Sequence, residues 1–124
     1  MKYILIAVLA FTVITGCKKN GTGGKANVHA NIKHHTTPIK GATLYVKFDA
    51  KELPSDPTNN YDLKETGCNL CTDIHVEGLL PGNYYLYAVG FDSTIMQPVS
   101  GGTSVRIPWS DRKNDIETDV PVVE

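Results

Sequence analysis

The sequence predicts an all-β fold, a seven-strand antiparallel β-sandwich. Three observations predict it. From Ala26 onward apolar and polar residues alternate with a period of two. Clusters of Gly, Pro, Asn and Asp separate the alternating runs. No stretch carries the 3.6-residue apolar period of a useful amphipathic helix.

The elements follow in order. Ala26, Val28, Ala30 and Ile32 alternate with Asn27, His29, Asn31 and Lys33, which makes one half-buried strand. The segment Thr36–Gly41 is a Pro/Gly loop. Ala42, Leu44, Val46 and Phe48 then alternate with Thr43, Tyr45, Lys47 and Asp49. Residues 51–67 hold Pro54, Ser55, Asp56, Pro57, Asn59, Asn60 and Gly67 and read as a long loop. Thr72, Ile74 and Val76 resume the alternation, and Gly78-Leu79-Leu80-Pro81-Gly82 is a tight turn. Tyr84 to Phe91 is rich in aromatic and apolar residues and strongly β-prone. Gly101-Gly102 reads as a turn signal, followed by a strand over Val105, Ile107 and Trp109. Ile116, Thr118, Val120 and Val122 form the last strand. Pro121 lacks an amide donor, which predicts either a sheet-edge position for this strand or a missing N–H that faces solvent.

The first residues carry an address. Lys2 and the apolar run Tyr3–Ile14 form the n- and h-regions of a secretory signal. The run is shorter than the about 20 apolar residues that a membrane span needs. Ile14-Thr15-Gly16-Cys17 resembles a bacterial lipobox, in which cleavage falls before a lipidated cysteine. The resemblance implies a signal peptide over 1–16, acyl chains on Cys17 and a membrane as partner. A diacylglycerol thioether plus N-acylation meets the need for more than one chain in stable anchoring. Residues 17–25, rich in Lys, Gly and Asn, read as a flexible tether, and 26–124 as the sandwich domain. Position 18 is not aspartate and no acidic cluster follows, which points to the periplasmic face of the outer membrane as the location.

Composition limits the functions further. The full chain has a formal net charge of −1, and loss of Lys2 makes it one unit more negative. No block of like charge suggests nucleic acid.

Two motifs carry a family resemblance. Pro38-Ile39-Lys40-Gly41-Ala42-Thr43-Leu44-Tyr45-Val46 is followed by Gly78-Leu79-Leu80-Pro81-Gly82-Asn83-Tyr84-Tyr85-Leu86. This order is similar to the carboxypeptidase-regulatory-like, or transthyretin (prealbumin)-like, domains, over roughly residues 26–124. The resemblance implies an Ig-like/prealbumin-like sandwich, no enzymatic activity, no cofactor, and an accessory or interaction role. Within it, Gly41 supplies a turn at positive φ. Tyr84 buries its ring and bonds its hydroxyl to nearby backbone. A CxxC stands where the family usually has a T-D-x-x-G hairpin.

Three sets of residues remain as candidates for chemistry. Cys68 and Cys71 form a structural disulfide, a redox pair or half of a metal site. Export permits the first, no following helix activates the second, and the third needs more donors. His75 with the cysteines, and His29 with His35 on one strand face, are the further metal candidates. His34 points to the opposite, core side. Tyr45, Tyr85 and Tyr87 alternate outward, either as a binding surface for a partner or glycan or as packing beneath the 51–67 loop. Ser55, Ser93, Ser100, Ser104 and Ser110 stand in no nucleophile-elbow context. The expectation is a non-catalytic envelope lipoprotein that binds an envelope protein. The alternative is a ligand-binding lipoprotein, for metal through His and Cys or for glycan through Tyr.

Overall fold

The computed structural model describes residues 21–124. The expected signal peptide, Cys17 and the start of the expected tether lie outside the described residues. Eight strands follow one another: β1 (Thr22–His34), β2 (Thr37–Pro38), β3 (Thr43–Phe48), β4 (Leu63–Thr66), β5 (Asp73–Leu79), β6 (Gly82–Asp92), β7 (Gln97–Ile107) and β8 (Asp115–Val122). They form two four-stranded sheets. One has β1 at its centre, with β5 and β2 along one edge and β8 along the other; the second runs β4-β3-β6-β7. The fold is a β-sandwich, with eight strands where seven were expected.

The alternation read from the sequence is the alternation of burial. Ala26, Val28, Ala30 and Ile32 of β1 face Leu44, Val46, Tyr84, Leu86 and Ala88 of the other sheet, all fully buried. Burying a residue of the Val/Leu/Ile class removes about 1.5–3 kcal/mol worth of apolar surface from water. That term holds the two layers face to face. Ile39, Ile74, Val76, Val99, Val105, Ile107, Val120 and Val122 complete the core.

Three departures from the sequence reading have physical causes. First, β1 begins at Thr22, so residues 22–25 of the stretch expected as tether are strand. Its register against β5 shifts between Thr22 and Val28. A Cβ at Gly24 would collide with the Leu79 carbonyl, so glycine here permits close backbone approach and not flexibility. Second, Gly101-Gly102 is no turn: both lie inside β7, which reaches back to Gln97. At Gly101 the backbone of Pro121 crosses, and at Gly102 the Tyr85 ring lies over the strand. Third, the strand stops at Ile107, and Trp109 opens a 3₁₀ turn, Trp109–Asp111.

β8 runs parallel to β1, from Asn27↔Asp115 to His34↔Val122, so the first sheet is mixed and not wholly antiparallel. Pro121 sits in this edge strand, opposite Lys33 of β1. Beyond it, Val123 and Ser100 exchange backbone hydrogen bonds of 2.8 and 2.9 Å, joining the two sheets along one edge.

The strand directions define two poles. Gly21, Leu80 and Tyr84 meet at one: the Tyr84 hydroxyl donates to Leu80 O at 2.5 Å and accepts from Gly21 N at 2.9 Å. β1 and β6 then run side by side in the two layers to the opposite pole, where His34 meets Asp92.

Candidate functional site

The pole away from Gly21 gathers three connections. The β1–β2 turn passes through His35 at φ 55, the segment after β4 carries the CxxC, and the β6–β7 hairpin turns through Ser93–Met96, with Met96 at φ 53. Cys68 and Cys71 are joined as a disulfide with Cα atoms 5.0 Å apart. The bond closes a four-residue turn, with Cys71 N donating to Cys68 O at 3.1 Å. Leu70, inside that turn, is 81% exposed. Met96 is 70% exposed, and Phe91 and Ile95 are exposed over somewhat less than half of their surface. Between the β2 and β6–β7 connections lies a groove of about 510 Å³ lined by Pro38, Ile39, Lys40, Asn69, Phe91 and Thr94. Monomeric proteins scatter exposed apolar side chains singly; several at one end mark a contact surface.

Beneath that groove His34 and Asp92 are buried on the inward faces of β1 and β6. Nδ1 of His34 donates to Asp92 Oδ2 at 2.7 Å, and Asp92 Oδ1 accepts from Thr94 N at 2.9 Å and Thr94 Oγ1 at 2.6 Å. The hydrogen bonds from Thr94, then from His34, lower the Asp92 pKa to about 2. The carboxylate is therefore ionised at neutral pH, which places a proton on His34 Nδ1. Nε2 of His34 is buried and has no hydrogen-bond partner among the described residues. Both residues fall on the inward phase of their strands. A charged residue on the core phase of β6 and an imidazole on the core phase of β1 were the signal for this pair; the sequence reading used only the His34 half.

Cys68, Cys71 and His75 border one groove, but among the described residues the candidate metal ligands do not close into a site. The disulfide removes both thiols. His29 and His75 are cross-strand partners whose rings stack at 4.0 Å and 8°, and His75 Nε2 bonds Asp73 Oδ2 at 2.6 Å. That bond to His75 is the main reason the Asp73 carboxyl lies below its ordinary range. His35 sits in the β1–β2 turn, at the pole that also carries the CxxC, with its ring 4.5 Å from that of His34 and away from His29. Among the described residues no group of three His, Cys, Asp or Glu side chains is placed to hold a metal ion.

Tyr45, Tyr85 and Tyr87 do share the outer face of the second sheet, each half-buried. Tyr45 pairs with Tyr87 across the β3–β6 ladder. Tyr61, from the long loop, packs edge-on against Tyr45 at 5.0 Å. Lys64 Nζ stands 5.7 Å from the Tyr45 ring centre. Tyr85 lies across Gly102, and burial, then Tyr87, raises its hydroxyl pKa. These rings cover the sheet and one another, with part of each left to solvent.

No family model, curated protein or solved structure matches this chain.

Proposed function

We propose that this protein is a non-catalytic cell-envelope lipoprotein. A prealbumin-like sandwich, tethered through acylated Cys17, presents the pole around Leu70, Phe91, Ile95 and Met96 to an envelope protein. The observation that carries the reading is the gathering of these exposed apolar side chains, three on connecting loops and Phe91 near the end of β6, at the end opposite Gly21. A tether at one end leaves the other free to reach a partner. The disulfide fits this role, because it fixes the loop that presents Leu70. The His34–Asp92 pair is not offered to a substrate. Its remaining imidazole nitrogen is closed off from solvent, where a general base needs to reach its substrate.

The tyrosine face is the second surface, for a partner or a glycan. Exposed ring area supports it, whereas the packing of Tyr61 on Tyr45 and of Tyr85 over Gly102 uses part of that area.

The test is site-specific photocrosslinking in intact cells, with the crosslinker at position 70, 96, 85 or 77. The reading expects one discrete adduct from positions 70 and 96, and none from 77 on the outer face of β5. Adducts from position 85 alone would move the contact to the tyrosine face. Identical adduct patterns from all four positions would exclude a docking pole.

A further inference from the structure

Trp109 is the chain's sole tryptophan, and it is 70% exposed. It stands in the 3₁₀ turn beside the Gly21 pole. With Gly24, Lys25, Leu80, Pro81, Arg112 and Lys113 it lines a shallow, almost wholly apolar groove of about 160 Å³. The Arg112 guanidinium lies 4.6 Å from the centre of the indole, and Arg112 Nη1 donates to Trp109 O at 3.1 Å. Three cations thus ring an exposed indole and an apolar floor. The acid of the same turn, Asp111, accepts from Asn114 Nδ2 at 3.1 Å, and Asp115 accepts from Asn27 Nδ2 at 2.8 Å.

Distance decides what can cover this patch. Only Lys18, Lys19 and Asn20 separate Cys17 from Gly21. A chain spans at most about 3.3–3.6 Å per residue, so an acylated Cys17 keeps Gly21 within roughly 14 Å of the lipid headgroups. Gly21 O accepts from Leu80 N at 2.8 Å, and Leu80 lines the groove. The surface held against the bilayer is therefore the one that carries the tryptophan and the cations. Indole rings favour the headgroup level, and each basic side chain near an anionic surface adds roughly fivefold in partitioning.

We propose that the Trp109–Arg112–Lys113–Lys25 patch is a membrane-docking face. It seats the indole among anionic phospholipid headgroups, lays this pole of the sandwich on the bilayer and points the Leu70–Met96 pole away from it. The proposal rests on the Cys17 anchor proposed above.

The experiment uses the acylated mature chain, purified from membranes and reconstituted in vesicles of phosphatidylglycerol with phosphatidylethanolamine, or of phosphatidylcholine alone. Trp109 is the only fluorophore of its kind. On anionic vesicles its emission should move to shorter wavelength, become shielded from acrylamide and be quenched by brominated acyl chains. Lys25→Gln with Lys113→Gln should keep the protein on sedimenting vesicles and lose most of the shift. The unacylated Cys17→Ser chain should bind anionic vesicles weakly, and the double lysine change should weaken that binding roughly 25-fold. Protein that sediments with vesicles while Trp109 stays open to acrylamide overturns the docking face and leaves the anchor standing. Protein from membranes without acyl mass on Cys17 overturns the anchor, and the docking face with it.

Discussion

The imidazole of His34 and the carboxylate of Asp92, 58 residues apart in sequence, meet at 2.7 Å between the two sheets. The contact ties the end of β1 to the end of β6 and, through Thr94, orders the hairpin that carries Ile95 and Met96. A buried charge persists only when it is paired and hydrogen-bonded.

This pair predicts an acid limit to stability. The folded Asp92 pKa is lowered, to about 2, from the ordinary 3.8. Its contribution is then present above the unfolded pKa and is lost as pH falls through the window from about 4 to 2. Urea midpoints measured from pH 6 to pH 2 should fall across that window more steeply for wild type than for Asp92→Asn. At pH 6 the variant should already be the less stable of the two. Parallel curves would mean that the carboxylate is not held in its charged form.

Tyr84 is the matching clamp at the other pole. Its hydroxyl accepts from Gly21 N and donates to Leu80 O, and its ring is fully buried edge-on to Phe48 at 5.6 Å. Tyr84→Phe keeps the ring and leaves the Gly21 amide and the Leu80 carbonyl short of a partner. The expected loss is about 1–2 kcal/mol by urea unfolding. Hydrogen exchange should rise first at residues 21–25 and around Leu80. Exchange that rises first near Asp92 would contradict the clamp.

The two glycine-rich stretches show where the sequence was legible and where it was not. Alternation revealed β1, β3, β5 and β8 because each has one buried face and one polar face, and β6 was legible from its β-prone aromatic and apolar composition. β4, Leu63-Lys64-Glu65-Thr66, has only Leu63 packed on the core, and β2 is two residues long, so neither carries a readable period. Glycine was ambiguous for a different reason: composition does not separate a flexible glycine from one that admits a crossing backbone. Gly24 and Gly101 are of the second kind, set by Leu79 and Pro121, which are distant in sequence. The candidate site follows the same rule. The outward tyrosines and the inward side of His34 were legible from local phase, and the cysteine pair from its spacing. The gathering of the CxxC turn and the Met96 hairpin at one pole depends on topology alone.

Gly24→Ala and Gly101→Ala therefore test that reading of the glycines. Each places a methyl group against a backbone carbonyl that cannot move without displacing its strand. Overpacking of this kind costs about 1–3 kcal/mol. Gly23, where an added Cβ meets no atom within 4 Å but φ is 103, is the control for conformational strain alone. Thermal melts should rank Gly24→Ala below Gly23→Ala. The reverse order would return the stretch to the role of a plain tether.

The disulfide contributes to presentation more than to global stability. A loop of four residues is short, and the chain-entropy estimate for closing it is about 2 kcal/mol. Cys68→Ser with Cys71→Ser should therefore leave a cooperative fold with a modestly lower urea midpoint. Its effect on the contact surface should be larger, because Leu70 lies inside the closed turn. Crosslinking from position 70 should fall sharply in the double serine variant, while crosslinking from position 96, on a separate hairpin, should fall less. Equal retention at both positions would show that the bond stabilises the fold without shaping the surface. A loss of cooperative unfolding would show that this small loop supports the sandwich far beyond its length.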